Sequence, residues 1–365
     1  MKILFLTTHS NTGGITSYIL TLGAALVRSG HEVWVASSGG NAVPHLQAAG
    51  IKHVMVNIRT KSEASPKLWF SFGPLRRLIR EERIDIIHAH TRITQVLGAW
   101  LSRSTGVRMV TTCHGFFKPR WFRKAFPCWG QAVIAISKPV AGHLTDDLGV
   151  PPQKVHLVTS GIDLGRFVMV SEQLRRDVRQ KYGLGDAPLI GIIARLSEVK
   201  GIDVLIKAMP LVLKEVPSAK LLIAGQGPEE KALRELVKDL HLTEHVIFKD
   251  TVDQTQELLC ALDVFVMPSL MEGLGLSVIE AQACGIPVVA SRIGGLVDLI
   301  EDGVSGYLVA VNDPGALAGR VIKVIKDPLT ARPMVQKARS NVERYFSSDM
   351  MLQSTVRVYE QYSRR

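Results

Sequence analysis

Short apolar runs alternate with amphipathic stretches along the whole chain, and this alternation restricts the fold more than any other feature of the sequence. In the first half, residues 2–8, 32–38, 53–58, 85–90, 108–113 and 132–137 read as strands, and a further strand lies within 151–160. Between them, residues 16–28, 67–83 and 93–104 space their apolar side chains at helical intervals. A second series begins near Leu189. Its strands fall at 189–194, 220–224, 246–249, 264–267, 287–291 and 306–309, with helices at 204–215, 229–240, 254–261, 276–284 and 296–301. Runs such as Val264, Phe265, Val266 and Met267 are apolar throughout, as a parallel strand buried on both faces requires. The expectation is an α/β chain of two Rossmann-like, doubly wound domains facing a central cleft. The expected boundaries are 1–165 for the first domain, 166–186 for a linker and 187–345 for the second domain. A final helix within 346–365 is expected to pack back on the first domain.

Ligands of such sheets sit beyond the carboxyl ends of the strands. After residues 264–267 the chain turns through Pro268, Gly273 and Gly275 and starts a helix at Leu276. Free backbone N–H groups at a helix start, on the positive end of its dipole, form a phosphate site, here from Gly275, Leu276 and Ser277. Glu272 and Glu280 bracket the turn with seven residues between them. A carboxylate beside phosphates has one obvious task, accepting hydrogen bonds from hydroxyls. Arg195 and Lys200 follow residues 189–194 and can converge on one diphosphate, Arg as a fork and Lys as a point charge. Gly225-Gln226-Gly227 follows the next strand but lacks the third glycine of a dinucleotide fingerprint. In the first half, the corresponding strand ends carry Gly13-Gly14, His90 and His114-Gly115.

From Ala194 to Gly295 these motifs resemble the retaining glycosyltransferases of family 4, which have the GT-B fold. The passage from Glu280 through Ala281-Gln282-Ala283-Cys284-Gly285-Ile286-Pro287 to Gly294-Gly295 continues the likeness, which extends over nearly the whole chain. The resemblance implies that Glu280 holds the ribose hydroxyls, that Glu272 lies at the transferred sugar with Gly273 among the donor-binding residues, and that Arg195 and Lys200 bind the donor diphosphate. It implies that Gly225 and Gly227 line the nucleotide pocket and that Gly14 closes over the donor. His114 resembles the histidine that orients the reacting sugar. Where the family often has glycine this chain has Asp250, which leaves the choice between uracil and guanine open.

The implied function is retaining transfer of a hexose from a nucleoside-diphosphate sugar, a UDP-sugar being favoured, to a hydroxyl of a glycan or glycolipid acceptor. The implied setting is cell-envelope polysaccharide or lipopolysaccharide synthesis. Front-face substitution would need neither a dedicated base nor a metal, and no cofactor is expected beyond the donor substrate. The rival readings are a GT-B-like nucleotide-sugar 2-epimerase and a basic nucleic-acid-binding protein, although no nucleic-acid motif is present and no such partner is expected.

Charge is distributed unevenly. Residues 1–170 hold 20 Lys+Arg and 8 Asp+Glu, a net +12, so the remainder of the +11 chain is at −1. The first half therefore suits an anionic partner. The segment 116–124 interleaves Lys118, Arg120, Arg123 and Lys124 with Phe116, Phe117, Trp121 and Phe122, a composition that suits an anionic membrane interface or an acceptor. Lys67, Arg76, Arg77 and Arg80 add to it. The four cysteines show neither metal-ligand nor disulfide spacing, and no apolar run reaches 18 residues. A cytoplasmic protein, associated with the inner face of the membrane, is the expectation. His88 and His90 are expected on opposite faces of their strand with one in the core, and no metal is assigned to them.

Overall fold

The computed structural model describes residues 1–60, 62–63, 65–118, 123, 126–250 and 255–362. The chain forms two compact units, residues 1–161 with 347–365, and residues 162–346.

The first unit contains seven strands: β1 Lys2–Leu6, β2 Glu32–Ser37, β3 Lys52–Met55, β4 Ile86–Ala89, β5 Arg108–Cys113, β6 Ala132–Ala135 and β7 Val155–Leu157. All pair in parallel, in the order β3-β2-β1-β4-β5-β6-β7. The chain winds outward from β1 to β3 and then crosses back to β4 on the other side. Leu4, Leu6, Trp34, Ala36, Ile87, Ala89 and Met109 form one face of its core with Leu97 and Leu101 of the helix Arg92–Thr105. Each of the leucine, isoleucine and methionine side chains contributes about 1.5–3 kcal/mol on burial. The helix Ser348–Tyr362 belongs to this unit, where Tyr359 is fully buried.

The second unit has six parallel strands: β8 Leu189–Ile193, β9 Lys220–Ala224, β10 Val246–Lys249, β11 Val264–Met267, β12 Val288–Ser291 and β13 Tyr307–Val309. Their order is β10-β9-β8-β11-β12-β13, the same outward winding and reversal. Each expected strand is present, and both sheets are doubly wound.

The segment expected as a linker is not one. The unit boundary falls after Gly161, and residues 166–186 carry the helix Glu172–Tyr182 inside the second unit. Ionic contacts replace apolar ones along that helix. Arg179 donates through Nε to the Ala261 carbonyl at 2.9 Å and through a terminal nitrogen to Asp263 at 2.7 Å, and Arg175 reaches the same carboxylate at 3.0 Å. Lys181 and Tyr182 both donate to Glu257.

Candidate active site

In the second unit the loops after β8 and β11 flank the point where the strand order reverses, the position at which open parallel sheets hold ligands. The loop after β8 is tied to both neighbours. Leu196 donates to the Gln226 carbonyl at 3.0 Å, and the Leu196 carbonyl accepts from Glu229 at 3.1 Å. On the other side the Val199 carbonyl accepts from Leu270 and Met271 at 2.9 and 3.2 Å. The glycines permit this closeness. A Cβ on Gly225 or Gly227 would lie 1.9 or 2.0 Å from the carbonyl oxygens of Ala194 and Leu196. Gly201, at φ +61°, would meet the Pro268 oxygen at 2.2 Å, so any side chain there drives the two loops apart. Gly225 and Gly227 thus hold the loop beside Arg195 as a packing requirement of the fold.

The helix Leu276–Ala283 begins at Gly275, which sits at φ +104° and supplies no side-chain cap. Val278 and Ile279 both donate to the Gly275 carbonyl, so the amides of Leu276 and Ser277 precede the first intrahelical donor. Beside this helix start, Lys200 Nζ lies 2.5 Å from Glu272 Oε2, and Ser269 Oγ donates to the same oxygen at 3.4 Å. The Glu272 carbonyl is held by Gly295 N–H at 3.0 Å. Arg195 is exposed, with no hydrogen bond or ion pair among the described residues. Gly273 is buried in the turn. Glu280, one turn into the helix, has its carboxyl pushed up to about 7 by burial, and the Arg166 guanidinium opposes that shift.

In the first unit, Gly14 opens the helix Gly14–Arg28, exposed and with no atom within 4 Å of where a Cβ would stand. Thr16 Oγ1 donates to the Asn11 carbonyl at 2.7 Å, and the Thr12 amide donates to Asn41 Oδ1 at 2.8 Å, which fixes the loop before it. His114 follows β5, and Tyr18 meets its ring edge-on at 4.8 Å.

His88 of β4 and His90 just past its end lie on the same side, contrary to the opposite faces expected, because side chains two apart in extended chain point the same way. Their rings lie 4.2 Å apart and both are buried. His88 Nδ1 lies 2.6 Å from Tyr359 Oη and its Nε2 lies 2.7 Å from Thr112 Oγ1. His90 Nδ1 lies 3.2 Å from His114 Nε2. Burial holds His88 and His114 down at about 3 and His90 well below its ordinary value, so all three imidazoles are neutral near pH 7. Among the described residues no group of three His, Cys, Asp or Glu side chains is placed to hold a metal ion.

Of the basic aromatic segment, Arg120, Trp121, Phe122 and Lys124 lie outside the described residues. Lys118 is exposed, and the Arg123 guanidinium stacks 4.4 Å above the Phe117 ring. His143 anchors the start of the segment: Phe117 N–H donates to its Nε2 at 3.0 Å, while its Nδ1 faces Asp147 at 2.6 Å.

Residues 12–166 match the model of Glycosyltransferase Family 4, and residues 175–341 match that of Glycosyl transferases group 1. The GDP-mannose-dependent alpha-(1-6)-phosphatidylinositol monomannoside mannosyltransferase of Mycolicibacterium smegmatis is 31% identical over 88% of this chain and 88% of its own length. The chain belongs to the family 4 glycosyltransferases. The N-acetyl-alpha-D-glucosaminyl L-malate synthase of Bacillus anthracis is 28% identical across 97% of this glycosyltransferase and 95% of its own chain. The Anabaena Alr3699/HepE structure in complex with UDP-glucose superposes with a TM-score of 0.87 at 23% identity, covering 99% and 100% of the two chains. The fold of this glycosyltransferase is GT-B.

Two contributors escaped the sequence reading, and a third, His90, stood out there only as a strand-end residue. Ser269, fully buried, orients Glu272. Arg166 is the cation that opposes the upward shift of the Glu280 carboxyl. His90 is the hydrogen-bond partner of His114. For Ser269 and His90 the available signal was a polar residue just past a strand end, whereas Arg166 follows no strand directly.

Proposed function

We propose that this glycosyltransferase moves a hexose from a UDP-sugar to a hydroxyl of an anionic glycan or glycolipid, with retention at the anomeric carbon. The observation that carries the donor reading is the Lys200–Glu272 pair beside the uncapped start of the helix Leu276–Ala283. A diphosphate accepting from Leu276 and Ser277 competes for Lys200, and this frees Glu272 to accept from sugar hydroxyls. Arg195 adds a second cation and Glu280 takes the ribose hydroxyls. The UDP-glucose complex of the similarly folded Anabaena protein supports uracil as the base, while the name of the Mycolicibacterium smegmatis relative specifies GDP-mannose.

In the proposed chemistry the bond from the anomeric carbon to the diphosphate oxygen breaks. The acceptor oxygen bonds to that carbon from the same face, and its proton passes to the departing diphosphate. Lys200, Arg195 and the helix amides stabilise the charge that grows on the leaving group, without a metal. His114 orients the sugar, and the Gly14 loop closes over the donor.

The names of the two relatives specify anionic acceptors, L-malate and a phosphatidylinositol mannoside, and the +12 charge of residues 1–170 suits such a partner. The helix Pro66–Glu81 exposes Trp69 and Phe70 (69% and 81%) together with Lys67, Arg77 and Arg80. Aromatic side chains flanked by cations suit contact with an anionic membrane, from the inner face and in envelope polysaccharide or lipopolysaccharide synthesis. No helix of the described residues is long and apolar enough to cross one. The test is proton NMR of the glycoside formed from UDP-hexoses and phosphorylated acceptors. A product with the donor's anomeric configuration, formed at the same rate in EDTA, is expected, whereas an inverted product overturns the mechanism.

A further inference from the structure

Two neutral imidazoles meet at His90 Nδ1 and His114 Nε2, 3.2 Å apart, and such a contact needs one N–H and one lone pair. The two possible arrangements differ in what they leave behind. His90 Nε2 is fully buried with no hydrogen-bond partner among the described residues, amid the rings of Phe5, Tyr18 and His88 at centroid distances of 5.1, 5.6 and 4.2 Å. If His114 donated, His90 would carry its proton on Nε2, and a buried N–H would lack an acceptor. If His90 donates from Nδ1, only a lone pair is left unmatched there. Orphaned buried N–H groups are the rarer and costlier of the two.

We infer that His90 is a positioning residue that donates from Nδ1 to His114 Nε2 and so confines the proton of His114 to Nδ1. His114 Nδ1 makes no hydrogen bond among the described residues, so the nitrogen this arrangement frees is a donor and not a base. The inference rests on the proposed role of His114 at the reacting sugar and deepens it. A histidine locked as an Nδ1–H donor recognises an oxygen lone pair of the donor sugar or of its departing phosphate, and it cannot remove the acceptor's proton. His90 is itself held by the stack on His88, whose two nitrogens are fixed by Thr112 and by Tyr359 of the helix Ser348–Tyr362. The last helix of the chain thereby supports the tautomer of a site residue.

The experiment is long-range nitrogen–proton NMR of the full chain carrying 15N-histidine, with His114 and His90 assigned through His114→Ala, His90→Phe and His90→Asn. The expected pattern in the wild type is Nδ1–H for His114, with a shift toward a mixture of tautomers in His90→Phe. His90→Phe keeps the ring but removes the donor, and is expected to lower kcat at least tenfold while the donor KM changes less than threefold. His90→Asn can still donate and is expected to restore most of that loss. An Nε2–H pattern for His114 in the wild type, or a tautomer indifferent to His90→Phe, overturns the inference. Full transfer activity in His114→Ala would instead overturn the assigned role of His114 and leave the tautomer result standing, so the two failures are distinguishable.

Discussion

Lys200 Nζ lies 2.5 Å from Glu272 Oε2 and joins the loop after β8 to the loop after β11, with 22% and 12% of the two side chains exposed. A pair covered to this degree is held in place by its surroundings as much as by its own attraction. Removing one partner leaves the other charge without compensation in a poor dielectric, whereas removing both does not. Lys200→Ala is expected to cost about 1–3 kcal/mol of stability, less than a fully buried pair because water still reaches both groups. Lys200→Ala with Glu272→Gln should recover part of that loss. Urea midpoints of the two variants check the coupling.

Glu280 makes stability depend on pH in an unusual direction. Its ordinary value is 4.5 and the folded value about 7, so between these limits the folded chain binds more protons than the unfolded one. Stability from this group is therefore present below about pH 4.5 and is lost as pH rises through 7. Glu280→Gln removes the loss. After a discount for the partial exposure of the residue, the variant should exceed wild type by about 1–2 kcal/mol at pH 8. The difference should vanish near pH 4.5. Thermal melts across that range provide the measurement, and an equal gain at both ends would refute the assignment to Glu280.

Gly14 and Gly225 separate packing from function. A Cβ on Gly225 would strike the Ala194 carbonyl, so Gly225→Ala should destabilise the second unit by about 2 kcal/mol or more. Gly14→Ala meets nothing and adds a better helix former, so its stability should stay within about 0.5 kcal/mol of wild type. If the loop closes over the donor, Gly14→Ala nevertheless loses transfer rate. Paired denaturation and initial-rate measurements decide between these outcomes.

The exposed pair Trp69 and Phe70 tests membrane contact. Trp69→Ala with Phe70→Ala should reduce co-sedimentation with vesicles containing anionic lipid, and high salt should weaken the binding of wild type. Since both side chains face solvent, the variant should melt within about 2 °C of wild type. Equal co-sedimentation of the two proteins would reject this surface.

The strands were legible because parallel strands covered on both faces leave uninterrupted apolar runs, as in Val264–Met267. The helix Glu172–Tyr182 was not. Its Arg175 and Arg179 find Asp263 more than eighty residues away, and no local pattern announces that partner. Side chains two apart on a strand share a face, so His88 and His90 stand together, but only the folded sheet brings them against His114. Within the site, spacing and family likeness singled out Lys200 and Glu272 separately. Their pairing across 72 residues is a tertiary fact that depends on adjacent strands in the finished sheet. The packing requirement at Gly225 and Gly227 was hidden for the same reason, because it arises from carbonyls of the neighbouring loop.

The central claim is that the loops after β8 and β11 bind a nucleoside diphosphate, and the most direct test is the thermal stability of wild type and Glu280→Ala with UDP, GDP and ADP. A nucleotide at a hundred times its Kd adds about 2.7 kcal/mol of stability. Loss of a charge-assisted hydrogen bond to the ribose should weaken binding roughly tenfold or more. The expected result is a clear stabilisation of wild type by UDP, with Glu280→Ala needing at least ten times the concentration for the same shift. No stabilisation of wild type by any of the three at millimolar concentration would contradict the claim. An equal response from Glu280→Ala would contradict the ribose role.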